Sequence, residues 1–237
     1  MSKTRALGKP SLVRRLVPRR LTLRGGLLVL VLACALLCSV SPVLAAETSA
    51  RTAEDIQARW VQLMPSFVFD RGPDSRYVTL PSFHAPYQAG SLAPAYLQDG
   101  INYLNYVRYL AGLPDDVALD ASYNTLAQHG AVLSWVGGIG LTHTPTKPAD
   151  MDQAFYDLGL RGTRSSNIAS GGGLRGAIEA FMCDDDPSNI SRVGHRRWLL
   201  NPAMQKTGMG DAHSVLVYAH DRSRTEDVPY DVIAWPS

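Results

Sequence analysis

Cysteine is scarce in this sequence. There are three, and Cys34 and Cys38 both fall in an uncharged apolar run near the start. Only Cys183 lies beyond that run, so no internal disulfide can form there and stability must come from core burial. No catalytic cysteine signature surrounds Cys183, which reads as a half-buried small hydrophobe. The motifs G-x-S-x-G and H-E-x-x-H, a P-loop and paired C-x-x-C are also missing. Their absence removes the most specific enzyme signatures. Positive charge is missing where a nucleic-acid surface would need it. Eight of the 23 Lys and Arg precede residue 27, leaving 15 against 21 Asp and Glu, a balance of −6. A basic stripe for nucleic acid is therefore excluded from the folded part.

What is present begins with those eight basic residues, followed by the uncharged stretch Leu27 to Ala46. A basic start, an apolar centre and small residues at Val43-Leu44-Ala45 describe an export signal cut near Ala45–Ala46. The alternative is an uncleaved anchor, since about 20 apolar residues span a bilayer. Residues 1–45 are thus a signal peptide or signal anchor, and membrane contact is expected only through this segment if it is kept. The expected location is secreted or cell-envelope associated.

The rest divides into an extension, 46–96, and a domain, 97–237. "TAEDIQARWVQLMP" opens with a capping box, Thr52 with Asp55, and sets Ile56, Trp60 and Leu63 on one helical face. Residues 65–96 are rich in Pro, Gly, Ser and Tyr without periodicity, an irregular segment whose aromatics are expected on the surface. A helix over 97–110 is predicted by Ile101, Leu104, Val107 and Leu110 and stopped by Gly112 and Pro114. Asp120 caps another, which exits at Gly137-Gly138. A third covers 174–182. Asp186-Pro187 starts a fourth, running through His195 to Leu200 and stopped by Asn201-Pro202, with Trp198 expected to be buried. Residues 214–220 and 230–235 have strand composition. Helices first and strands late give an α+β class rather than a doubly wound sheet.

Several patterns are weak. "GGGLRG", 171–176, matches G-x-G-x-x-G, but polar "RSSNIAS" precedes it instead of a strand and Arg196 sits where a ribose-binding acid should fall. It reads as a glycine loop opening a helix. Asp184-Asp185-Asp186 lacks the glycine and spacing of a calcium loop. These carboxylates follow a helix C-terminus, where the dipole disfavours them, and Asp184 has no capping role to excuse it. Of six histidines, His84, His129, His213 and His220 lack a partner at ligand spacing and read as packing or surface residues. His143 and His195 stand 52 residues apart, a separation that cannot pair them from sequence alone.

Taken in order over residues 97–220, "LNYVRYLAGL", "LAQHGAVL", "LTHTP", "SSNIASGGG", "AIEAFM" and "GHRRWLLNPAMQKTGMG" resemble the CAP superfamily. That group holds cysteine-rich secretory proteins, antigen 5, plant pathogenesis-related (SCP-like) proteins and exported bacterial relatives. The resemblance implies an α-β-α sandwich with a cleft lined by two histidines and two acids, sometimes occupied by metal. By position the histidines are His143 and His195 and one acid is Asp184. The other acid's place, before Asn167-Ile168, holds Ser166. The implied cleft is therefore His143, Ser166, Asn167, Asp184 and His195. His143, His195 and Asp184 are the implied ligands of a weakly bound divalent cation such as zinc. Three readings stand open: a binding or effector module for an extracellular or envelope lipid, glycan or peptide; a metal-assisted hydrolase; and a hydrogen-bonded core without a ligand.

Overall fold

The computed structural model describes residues 51–228 apart from Ile139 and Ser188. The export segment and the strand expected over 230–235 lie outside the described residues.

Helix α1 (Ala53–Leu63) starts on the predicted capping box, with both Thr52 and Asp55 bonds made. Then come β1 (Asp70–Pro73), a single 3-10 turn (Asp74–Arg76), β2 (Tyr77–Thr79), β3 (Ser91–Leu92) and α2 (Pro94–Leu110). Strand β4 (Ala118–Leu119) leads into α3 (Ala121–Val136), where the Asp120 carboxylate caps the amides of Ser122 and Tyr123. Helix α4 (Gln153–Arg164), β5 (Ser166–Ser170), α5 (Gly173–Cys183) and α6 (Gly194–Leu199) follow, then β6 (Lys206–Thr207), β7 (Met209–Ala212) and β8 (Ser214–Tyr218). The class is α+β.

The main sheet is antiparallel throughout, in the order β5-β8-β7, with Ile168 opposite Leu216 and Gly210 also opposite Leu216. Alternation along the strands sends side chains to two cores. Met209, Val215 and Val217 join Leu104 and Val107 of α2 and Ile178 of α5 in one buried cluster. Ile168, Ala212 and Leu216 join Ala127 and Ala131 of α3 in the other. Helices therefore cover both faces. The crossing of α3 and α4 is close because Gly162 has no side chain, and a Cβ there would sit 2.0 Å from the Leu126 carbonyl oxygen.

Four expectations are corrected. Tyr77 and Tyr96 are buried, not surface, and each bonds Asp211: the Tyr96 hydroxyl donates to its carboxylate at 2.8 Å and the Tyr77 hydroxyl to its carbonyl at 3.1 Å. Residue 96 is thus not a packing boundary, since Tyr77, Leu92 and Tyr96 share a cluster with α2 and α5. A strand, β5, does precede the glycine loop, although it belongs to an antiparallel sheet and not to a parallel β-α-β unit. In the loop itself Gly171, Gly172 and Gly173 all take positive φ, and α5 begins at Gly173. Cys183 is exposed. Among the described residues no helix is long and apolar enough to cross a membrane.

Candidate functional site

The fourth expected helix is much shorter than its pattern. Residues 189–193 form turns in which the amides of Asn189 and Ile190 both donate to the Asp186 carbonyl, and Val193 takes φ 43° before α6 starts. The turns point Asn189 inward, where its amide oxygen accepts from the Gly194 N–H at 3.3 Å. At the far end of α6, Arg108 is buried and donates to the carbonyls of Leu199 (2.8 Å) and Asn201 (3.0 Å). Burial pushes this guanidinium down to about 10. A six-residue helix is too short to hold itself, so these contacts position it.

His195 is oriented from behind. Its Nδ1 lies 2.9 Å from Asp184 Oδ1, and Asn189 Nδ2 lies 2.8 Å from the same nitrogen. A carboxylate only accepts, so Nδ1 carries the proton towards Asp184, and the Asn189 amide, itself a donor, bonds the same carboxylate oxygen and not that nitrogen. Asp184 occupies the left-handed C-cap of α5 at φ 52°. Its other oxygen accepts the Arg196 N–H at 3.1 Å, and Asn189 donates to Oδ1. The charge problem at this helix end is met by Arg196, whose guanidinium donates to the carbonyls of Met182 (2.7 Å) and Cys183 (2.8 Å).

His143, on the loop after α3, is fixed in the same tautomer. Its Nδ1 donates to the Thr163 carbonyl at 2.7 Å, and the Thr163 hydroxyl returns a bond to the His143 carbonyl at 3.0 Å. Ser166 and Asn167 open β5. Asn167 Nδ2 donates to the His195 carbonyl at 3.0 Å, tying the sheet to α6. Ser166 is 4% exposed, and its Oγ has no hydrogen-bond partner.

His143, Ser166, Asn167 and His195 line one cleft of about 770 Å³. Asp184 is not on that wall. Its side chain is fully buried behind His195, whose own side chain is 29% exposed. The difference bears on the metal reading, because the carboxylate is already engaged by His195, Asn189 and Arg196. The implied ligand set then loses its carboxylate, and His143 with His195 alone does not make a zinc site of three protein ligands. Among the described residues no group of three His, Cys, Asp or Glu is placed to hold a metal ion.

The cleft also holds residues that the sequence did not flag. Arg164 ends α4, Arg192 lies in the turns, Arg197 is on α6, and Arg222 follows β8. His220, taken as packing or surface, is a third imidazole on the wall. Shielding from solvent, then the charges of Arg222 and His143, hold it below the usual histidine range. Trp198 corrects the expectation of burial: it is 39% exposed, packs against His220 at 4.6 Å between centroids with the rings tilted by 34°, and carries the Arg222 guanidinium 4.9 Å above its ring. Nothing in the spacing of His220 announces it, because strand β8 carries it to the cleft. Comparison with protein families, curated proteins and solved structures returns no match for this chain.

Proposed function

We propose that the chain is an exported binding or effector module of CAP type, an α-β-α sandwich whose ligand enters the cleft between His143 and His195. The observation that carries this reading is the meeting of two histidines 52 residues apart in one cleft of about 770 Å³. That volume is ordinary for a small-molecule site. Each ring is held through Nδ1, which leaves its Nε2 uncommitted and open to a ligand. Trp198, partly exposed on the cleft wall, supports an extracellular or envelope ligand with an apolar part to cover. Export rests on the basic and apolar start, and amino-terminal sequencing of the exported form should begin near Ala46.

The alternative, a metal-assisted hydrolase, would use Asp184 as a ligand beside His143 and His195, and that carboxylate is buried behind His195. A thermal-shift panel of envelope lipids, soluble glycans and peptides tests the binding reading. A true ligand raises the melting temperature of the parent but not of His143→Ala or Trp198→Ala. A shift that survives in both variants places the ligand elsewhere. Turnover of any panel member that depends on an added divalent cation would favour the hydrolase.

A further inference from the structure

The charge of the cleft runs against the charge of the chain. Beyond residue 26 the balance is −6, yet four arginines and one carboxylate, Asp186, line this one concavity. Among the described residues none of Arg164, Arg192, Arg197 and Arg222 forms an ion pair, although Arg59, Arg76, Arg175 and Arg224 elsewhere do. Positive side chains that line one concave site focus a positive potential there. Arg222 is held in place by the carbonyls of Ala219 (3.0 Å) and Asp221, whereas among the described residues the side chains of Arg164, Arg192 and Arg197 make no hydrogen bond.

A second observation comes from Ser166. Its Oγ is buried and without a partner, although the residue lies on the cleft wall. Buried hydroxyls are almost always bonded, so an orphan on the wall of a cleft marks a place for a ligand atom.

We propose that the ligand of this cleft carries a phosphoryl group, gripped by Arg164, Arg192, Arg197 and Arg222 and bonded at its inner end by Ser166 Oγ. This rests on the cleft being the binding site. The arginines come from four separate parts of the chain, the end of α4, the turns, α6 and the segment after β8. That arrangement suits an anion with three terminal oxygens and about two negative charges, as a phosphate monoester has near neutral pH. A carboxylate has one charge and two coplanar oxygens, which a single arginine fork satisfies. Nucleic acid is disfavoured by the acidic balance of the remaining chain. The neighbouring rings of Trp198 and His220 add aromatic surface for whatever bears the phosphate.

Equilibrium dialysis of the full chain against radiolabelled orthophosphate and against glucose 6-phosphate tests this. Sedimentation with phosphatidylcholine vesicles, with and without phosphatidic acid, tells a lipid headgroup from a free ester. The expected result is saturable binding of a phosphate probe that weakens with added salt. The double variant Arg164→Gln/Arg197→Gln should weaken it roughly tenfold or more. Ser166→Ala should weaken it by about threefold. Arg71→Gln, which removes an exposed charge in β1, should leave it unchanged. Absence of binding to every phosphate-bearing probe overturns the proposal, as does an equal loss in Arg71→Gln. Equal binding of glucose and glucose 6-phosphate also overturns it, while leaving the cleft reading intact if Trp198→Ala abolishes both.

Discussion

The Asp184 carboxylate stands 2.9 Å from His195 Nδ1, with the acid buried and the imidazole opening onto the cleft. The carboxylate serves the histidine's orientation, and through the Arg196 amide it also fixes the start of α6. Replacing Asp184 by Asn keeps the shape but turns a donating NH2 towards groups that already donate. We expect Asp184→Asn to lower stability by about 3 kcal/mol, the loss of a charged hydrogen bond in a buried setting. Urea denaturation measures it, and an unchanged midpoint would mean that the acid is not engaged as described.

Trp198 and Leu199 are neighbours with opposite fates. Leu199 is fully buried in the main cluster, whereas Trp198 is 39% exposed. Leu199→Ala should cost about 2–5 kcal/mol, and Trp198→Ala clearly less, although tryptophan is the larger side chain. A reversed order in denaturation midpoints would show that Trp198 packs in the core.

Asp221 holds the segment that carries His220 and Arg222. It accepts from the amides of Gln205 and Lys206, both at 2.9 Å, and from the Ser223 hydroxyl at 3.0 Å. Burial alone would raise its carboxyl, but these bonds prevail and hold it below the usual aspartate range. A depressed acid stabilises the fold above its unfolded pKa, about 3.9, and that contribution is lost as pH falls through the folded value. Asp221→Asn should therefore be less stable than the parent by about 1.5–3 kcal/mol at neutral pH. The gap should close in acid below pH ~3.9. A gap independent of pH would remove the charge from this account.

Gly162 is where α4 meets α3. A methyl group there would meet the Leu126 carbonyl at 2.0 Å, so the helices must separate. Gly162→Ala should cost about 1–3 kcal/mol by overpacking, read again from denaturation midpoints. It should also disturb His143, whose ring hangs from the adjacent Thr163 carbonyl.

The parts of the fold legible in sequence are those with local signals. Thr52 and Asp55 mark one helix start and Asp120 another, because capping is settled within three residues. Helix α4 has a cap as well, Asp152, but Gly159 and Gly162 lower its helical propensity, and their use shows only where α3 lies against them. Strand β5 hides because Ser166, Asn167 and Ser170 are polar, and its only apolar signal is Ile168 with Ala169. For the site, the resemblance to a known family singled out His143, Ser166, Asn167, Asp184 and His195. Chain geometry then places Asp184 behind its histidine. His220, Asn189 and the four arginines depend on long-range packing, which no local pattern records.

The account's central claim is that segments distant in sequence build one ligand-facing cleft. Nitrogen-15 NMR of the histidine rings in the full chain tests it directly, first alone and then with added orthophosphate. We predict that His143 and His195 are both Nδ1–H tautomers, and that His143, His195 and His220 shift together on titration while His84 and His129 stay fixed. Nε2–H tautomers at His143 and His195, or shifts spread evenly over all the histidines, would contradict it.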